Sequence, residues 1–85
     1  MDKYDYLILD IINSHKSTQE DLIDLTSLER TFWHKIESDS DLNIGQSRVG
    51  ERITNLYLDN LIQNRSGYML TKRGTQVLSY QTADI

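Results

Sequence analysis

Apolar side chains recur at helical spacing over most of this chain, and that periodicity constrains its fold more than any other feature. The first stripe lies between about Lys3 and His15 and consists of Tyr4, Leu7, Ile8, Ile11 and Ile12. A second stripe follows from Leu22 to about Glu37, and a third begins after Gly45. Because this spacing places apolar side chains on one face of a helix, it predicts a mainly α-helical domain.

The first predicted helix is apolar on more than one side, because Tyr6 and Leu9 fall outside its stripe. Such a helix often packs against a second partner, and in a chain of this length we interpret that partner as another subunit. The alternative is that the helix is enclosed within a single core. The predicted dimer interface combines the first and last helices and comprises Tyr4, Tyr6, Leu9, Leu78 and Tyr80.

The second predicted helix opens at a capping box, the S-x-x-E pattern of Ser17–Glu20, whose side chains satisfy backbone amides reciprocally. The helix either continues unbroken to about Glu37 or breaks near residues 26–27. The segment from Ser38 to Gly45 then reads as a polar turn, with two apolar side chains, Leu42 and Ile44, to anchor it.

The third predicted helix buries an apolar stripe and exposes a polar face. Arg48, Arg52 and Asn55 occupy positions i, i+4 and i+7, so they are expected to share that exposed face. Gly50 lies within the helix at a cost of about 1 kcal/mol relative to alanine. It indicates either a close neighbouring backbone, from protein or ligand, or a tolerated defect. The expected stripe, buried or semi-buried, is Val49, Ile53, Leu56, Tyr57 and Leu61, with Asn60 as an optional sixth member.

A short β-hairpin is predicted next, with a strand from Leu61, a turn at Arg65–Gly67 and a return strand from Tyr68 to Thr71. Thr71 is the expected N-cap of a last helix that carries Val77, Leu78 and Tyr80. Residues 82–85 are expected to fray. The chain therefore predicts a single domain over residues 1–81, mainly α with a small β-hairpin.

The net charge of −4 is divided unevenly along the 85 residues. Residues 1–44 carry four Lys/Arg against ten Asp/Glu, which gives −6, and residues 45–85 carry five against three, which gives +2. Acidity counts against a polyanionic partner, although the basic second half softens that objection. The chain has no cysteine, no apolar run long enough for a bilayer and no basic leader, so we expect a cytoplasmic protein.

The segment from Leu42 to Ile53, LNIGQSRVGERI, resembles the turn and recognition helix of a helix-turn-helix. The continuation RVGERITNLYLDNLIQNRSGYMLTKRGTQVL is similar to the usual ending of prokaryotic winged helix-turn-helix regulators, in the company of the MarR and PadR groups. The resemblance implies three N-terminal helices, a short wing over 63–71 and a C-terminal helix. It also implies a homodimeric transcriptional regulator that binds double-stranded DNA, with residues 46–60 in the major groove.

The DNA-binding residues that this resemblance implies lie on three elements. On the recognition helix they are Gln46, Ser47, Arg48, Arg52 and Asn55, since arginine suits guanine and glutamine or asparagine suits adenine. Arg65 would contact the backbone from the wing, and Lys72 and Arg73 would bind phosphates from a helix N-terminus.

Catalytic motifs are missing from the sequence, which has no G-x-x-x-x-G-K loop, no cysteine nucleophile and no H-E-x-x-H. His15 and His34 are isolated from other metal ligands, so neither a metal nor another cofactor is expected. The sequence therefore predicts a binding protein and not an enzyme. The alternative to DNA is a protein partner that binds the acidic N-terminal half.

Overall fold

Five helices and one hairpin make up the part of the chain that the computed structural model describes, residues 1–16 and 22–83. The elements in order are α1 (Lys3–Lys16), α2 (Leu25–Glu37), α3 (Ile44–Ser47), α4 (Val49–Leu58), β1 (Ile62–Asn64), β2 (Tyr68–Leu70) and α5 (Lys72–Ala83). The prediction of a mainly helical domain with a small antiparallel hairpin is confirmed. None of the described helices is long and apolar enough to cross a membrane.

Helix α1 is the centre of the fold, because α2, α4, β2 and α5 all pack against it. Its apolar side chains are enclosed on more than one side, and Ile8 and Leu9 are fully buried. The first helix therefore lies inside a single core, which was the alternative to a subunit interface. The assignment of Tyr4 and Leu9 to a dimer interface is wrong, since Tyr4 is only 3% exposed and Leu9 is 0% exposed.

Helix α2 begins at Leu25, after an extended residue. Ile23 pairs with Tyr68 of the hairpin, with the Tyr68 amide donating to the Ile23 carbonyl at 2.7 Å. Asp24 then caps the helix by accepting a hydrogen bond from the Ser27 amide at 2.7 Å. The second helix consequently does not run unbroken from the predicted capping box, which lies outside the described residues.

The C-terminus of α4 turns the chain toward the hairpin. Asn60 takes a left-handed conformation (φ 64°), and the Leu61 amide bonds the Leu56 carbonyl at 3.0 Å while the Asn60 amide bonds that of Tyr57 at 3.1 Å. These paired bonds form a Schellman motif, and the buried Leu56 and Leu61 supply the apolar contact that accompanies it. Tyr57 is 53% exposed, so its assignment to the buried stripe is wrong.

The hairpin pairs Ile62 with Leu70, and its turn lies at Arg65–Gly67 as predicted. Thr71 is confirmed as the N-cap of α5, because its hydroxyl accepts a hydrogen bond from the Gly74 amide at 3.0 Å. Helix α5 continues to Ala83, so the first two residues of the tail that was expected to fray, 82 and 83, are helical. Only residues 84–85 of that tail lie outside the description.

Two glycines have opposite surroundings and predict opposite effects of alanine. A Cβ at Gly74 would lie 2.0 Å from the Leu61 carbonyl oxygen, whereas one at Gly50 would meet nothing within 4 Å beyond its own helical turn. We expect Gly74→Ala to lower the free energy of unfolding by about 2 kcal/mol or more, since the backbone must shift. Gly50→Ala should raise it by about 1 kcal/mol through helix propensity. Chemical denaturation of both variants measures the two values.

Candidate nucleic-acid interface

The helix predicted after Gly45 is interrupted at Arg48. Helix α3 ends at Ser47, Arg48 adopts a left-handed conformation (φ 45°, ψ 50°), and α4 begins at Val49. A left-handed conformation costs a non-glycine residue about 1–2 kcal/mol. The Arg48 side chain remains 71% exposed, with the Glu51 carboxylate 3.9 Å away. The junction therefore presents a guanidinium to solvent from a strained position.

Arg52 contacts the N-terminal segment and is largely buried, in contrast to Arg48. Its Nη1 lies 2.6 Å from the Asp2 carboxylate and 3.3 Å from that of Asp5, and only 17% of its side chain is exposed. The prediction that Arg52 lies on an exposed face is wrong. The reason is that two carboxylates on the N-terminal segment, about 50 residues earlier, pair with it.

The same guanidinium holds the junction in place. Arg52 donates from Nε to the Ser47 carbonyl and from Nη2 to the Gln46 carbonyl, the latter at 3.1 Å. It also lies over the Tyr4 ring, 4.9 Å from its centroid, where a cation is attracted to the aromatic face. Ser47 itself is only 1% exposed, so its side chain is enclosed and cannot contact bases in this conformation.

Tyr4 ties the other side of the junction to α1. Its hydroxyl accepts a hydrogen bond from the Asn43 amide at 2.8 Å and donates to the Asn43 carbonyl at 3.3 Å. Asn43 in turn caps α3 by accepting from the Gly45 amide at 2.7 Å. We refer to Asp2, Tyr4, Asp5, Asn43 and Arg52 as the junction clamp.

The pKa shifts within the clamp favour the ionised forms of Asp2 and Arg52. Partial burial raises the pKa of Asp2, but hydrogen bonds from the Asp5 amide and from Arg52 outweigh it, and the pKa lies below the ordinary value of 3.8. Desolvation lowers the pKa of Arg52, but the hydrogen bonds and negative charges of Asp2 and Asp5 together raise it, so the net shift is upward. Both groups are ionised at neutral pH, and the charge of Arg52 is compensated internally.

The remaining predicted DNA-binding residues are exposed. Gln46 and Asn55 lie on α3 and α4, Arg65 is in the hairpin turn, and Lys72 and Arg73 are in the first turn of α5. The structure brings Arg48, Arg52 and Asn55 together along one groove beside α4. That groove also holds three carboxylates, those of Asp5, Glu51 and Asp59, and of these the sequence gives no sign that Asp5 lies there.

Alanine in place of each arginine should separate a structural role from a surface role. We expect Arg52→Ala to lower the free energy of unfolding by about 2 kcal/mol, because charged hydrogen bonds to two carboxylates and two carbonyls are lost. Arg48→Ala, the matched control on the same junction, should change it by less than about 0.5 kcal/mol. Urea denaturation of the two variants measures both, and equal stabilities would contradict the clamp.

Acid should weaken the clamp through Asp2. Since the pKa of Asp2 is lower in the folded protein than its ordinary value of 3.8, its contribution is fully present above that value and disappears as the pH falls through the folded pKa. We expect wild type to be more stable than Asp2→Asn by less than about 1 kcal/mol at neutral pH, because the pair is partly solvated. The two stability curves should converge below about pH 4. A difference that is constant across the acid range would contradict this assignment.

Among the described residues, no group of three or more His, Asp or Glu side chains could hold a metal ion. Comparison with known proteins gives no family for this chain, since no family model, curated protein or solved structure matches it significantly. The surfaces of α4, the hairpin and α5 are therefore the features of this chain that bear on its function.

Proposed function

We propose that this protein is a cytoplasmic, double-stranded DNA-binding transcriptional regulator of the winged helix-turn-helix type. The observation that supports the proposal is the order of its elements. The order is α1, the extended Ile23, α2, the short α3, α4, the hairpin and α5. Ile23 pairs with the hairpin at Tyr68. In this arrangement α4 is the recognition helix and β1–β2 is the wing.

The proposed contacts divide the predicted residues by role. Arg48, Gln46 and Asn55 would reach base edges in the major groove, with Arg65 on the flanking backbone. Lys72 and Arg73 would bind phosphate at the start of α5, where backbone amides also favour an anion. Arg52 and Ser47 are removed from direct contact, and Arg52 becomes a positioning residue for the junction that carries Arg48.

The proposed regulator is a homodimer, and its interface differs from the one expected at first. Helix α1 is enclosed, so Tyr4 and Leu9 cannot contribute. Tyr80 is 73% exposed on α5, and Tyr6 and Leu78 are partly buried, so the proposed interface centres on Tyr80 with these two residues at its edge. A two-fold dimer would bind a pseudo-palindromic site with half-sites about one helical turn apart.

Anisotropy of a labelled mixed-sequence duplex, titrated across salt concentrations, tests the proposal. Four exposed cations, Arg48, Arg65, Lys72 and Arg73, predict a slope of log K against log salt of about −4 per subunit. The double variant Arg48→Ala/Arg65→Ala should weaken binding and reduce that slope by about 2. The matched control is Arg30→Ala/Lys35→Ala on α2, which removes the same charge and should retain the wild-type slope.

Two outcomes would contradict the proposal: no binding by wild type even at low salt, or equal loss in both double variants. Sedimentation of the free protein checks the homodimer separately. A monomeric mass at micromolar concentration would remove that part of the proposal and leave the DNA surface standing.

A protein-interaction module is the second candidate function, and the groove beside α4 favours it. Two carboxylates of this groove, those of Glu51 and Asp59, are not part of the junction clamp, and Met1 and Leu58 beside them are 55% and 72% exposed. Such a surface suits a partner with basic and apolar side chains. Glu51→Lys separates the two functions, because the added cation should strengthen DNA binding and weaken binding to a basic partner.

A further inference from the structure

A second groove lies between α4 and the hairpin, and none of the residues that line it is a proposed duplex contact. It has a volume of about 310 Å³ and is lined by Ile53, Thr54, Tyr57, Asn64 and Tyr68. That volume is at the lower end of the range for small-molecule sites, about 300–1,000 Å³. None of the five lining residues is charged, which distinguishes this groove from the carboxylate-rich one beside α4.

The walls of the groove each contribute a tyrosine. Tyr57 comes from α4 and is 53% exposed. Tyr68 comes from the hairpin, where its backbone pairs with both Asn64 and Ile23 and so fixes the position of that wall. Ile53, only 4% exposed, is the buried apolar member of the lining. The groove therefore offers two phenol rings and an apolar surface to a flat ligand.

The polar groups of the lining are a donor and an acceptor. The Asn64 Oδ1 accepts a hydrogen bond from the Gly67 amide at 3.0 Å, which leaves the side-chain NH2 of Asn64 to donate. The Thr54 hydroxyl donates to the Gly50 carbonyl at 3.0 Å, which leaves its lone pairs to accept. A donor and an acceptor beside aromatic rings complement the amide-like edge and the faces of a nucleobase.

The distribution of charge around the groove indicates where the phosphate of a ligand would lie. The uncharged lining suits a base and not a phosphate, whereas Arg65 follows Asn64 directly and is exposed in the hairpin turn. We propose that this groove binds a nucleotide unit of single-stranded nucleic acid, with the base between Tyr57 and Tyr68 and its phosphate at Arg65. Aromatic platforms beside a cation are the usual means of binding single strands. The proposal goes beyond duplex recognition and does not require it.

Anisotropy of a short labelled oligothymidylate measures this binding in wild type and in three variants. Tyr57→Ala should weaken it by between about fivefold and about a hundredfold, since one stacked base contributes about 1–3 kcal/mol. Tyr57→Phe, which keeps the ring, should stay within about twofold of wild type. Leu25→Ala, the control, removes a large apolar side chain that is 44% exposed on α2, outside the groove and outside every proposed interface, and should also leave the affinity unchanged. Thermal unfolding of each variant verifies that it is folded.

A second titration, of thymidine monophosphate into the isotopically labelled protein, identifies the source of the nucleotide. Amide shifts at Thr54, Tyr57, Asn64 and Tyr68 by the mononucleotide alone would assign the groove to a free nucleotide. Shifts only with the oligonucleotide would assign it to a single strand. The proposal is overturned if neither ligand moves these amides, or if Tyr57→Ala and Leu25→Ala weaken binding equally. Duplex binding measured in parallel keeps this result separate from that of the proposed regulator.

Discussion

The enclosure of α1 is the constraint on which the rest of the structure depends. A helix with apolar side chains on several sides must be covered on several sides, and here α2, α4, the hairpin and α5 all use it as their common surface. Burial of Ile8 and Leu9 at the centre of that arrangement supplies the apolar area that a small domain needs. The start of the same helix carries the clamp that orders the α3–α4 junction, so core and candidate interface share one element.

The features that could be predicted from the sequence are those set within a few residues. Helical periodicity located α1 to within one residue, a glycine after two polar residues marked the hairpin turn, and Thr71 capped α5 as its hydroxyl predicts. The candidate nucleic-acid interface was harder to predict, because the residues that pair with one another there are distant in the sequence. Arg52 reads as a surface cation by its helical position, and nothing local indicates that Asp2 and Asp5 lie beside it.

Compensation of Arg52 changes the electrostatic argument about function. Counted by sequence, α4 and its two cap residues, positions 48–59, carry two arginines against Glu51 and Asp59. Once Arg52 is paired with Asp2 and Asp5, Arg48 is the cation that this helix region leaves exposed, and it stands near Glu51. DNA affinity would therefore have to come largely from the hairpin and the start of α5, together with a second subunit. A basic protein partner, in contrast, would find its carboxylates already grouped beside α4.

Two neighbouring residues at the start of α4 are unfavourable for the fold and are not explained by its core. Arg48 holds a left-handed conformation that glycine or asparagine would adopt more easily, and Gly50 occupies a helical position where alanine would fit without contact. Backbone strain and low propensity of this kind concentrate at functional sites, where selection acts on something other than stability. Gly50 also shares a helix face with Thr54 and Tyr57, which line the groove toward the hairpin. Arg48 therefore lies at the groove beside α4 that carries the carboxylates, and Gly50 lies on the helix face toward the groove proposed to bind a nucleotide.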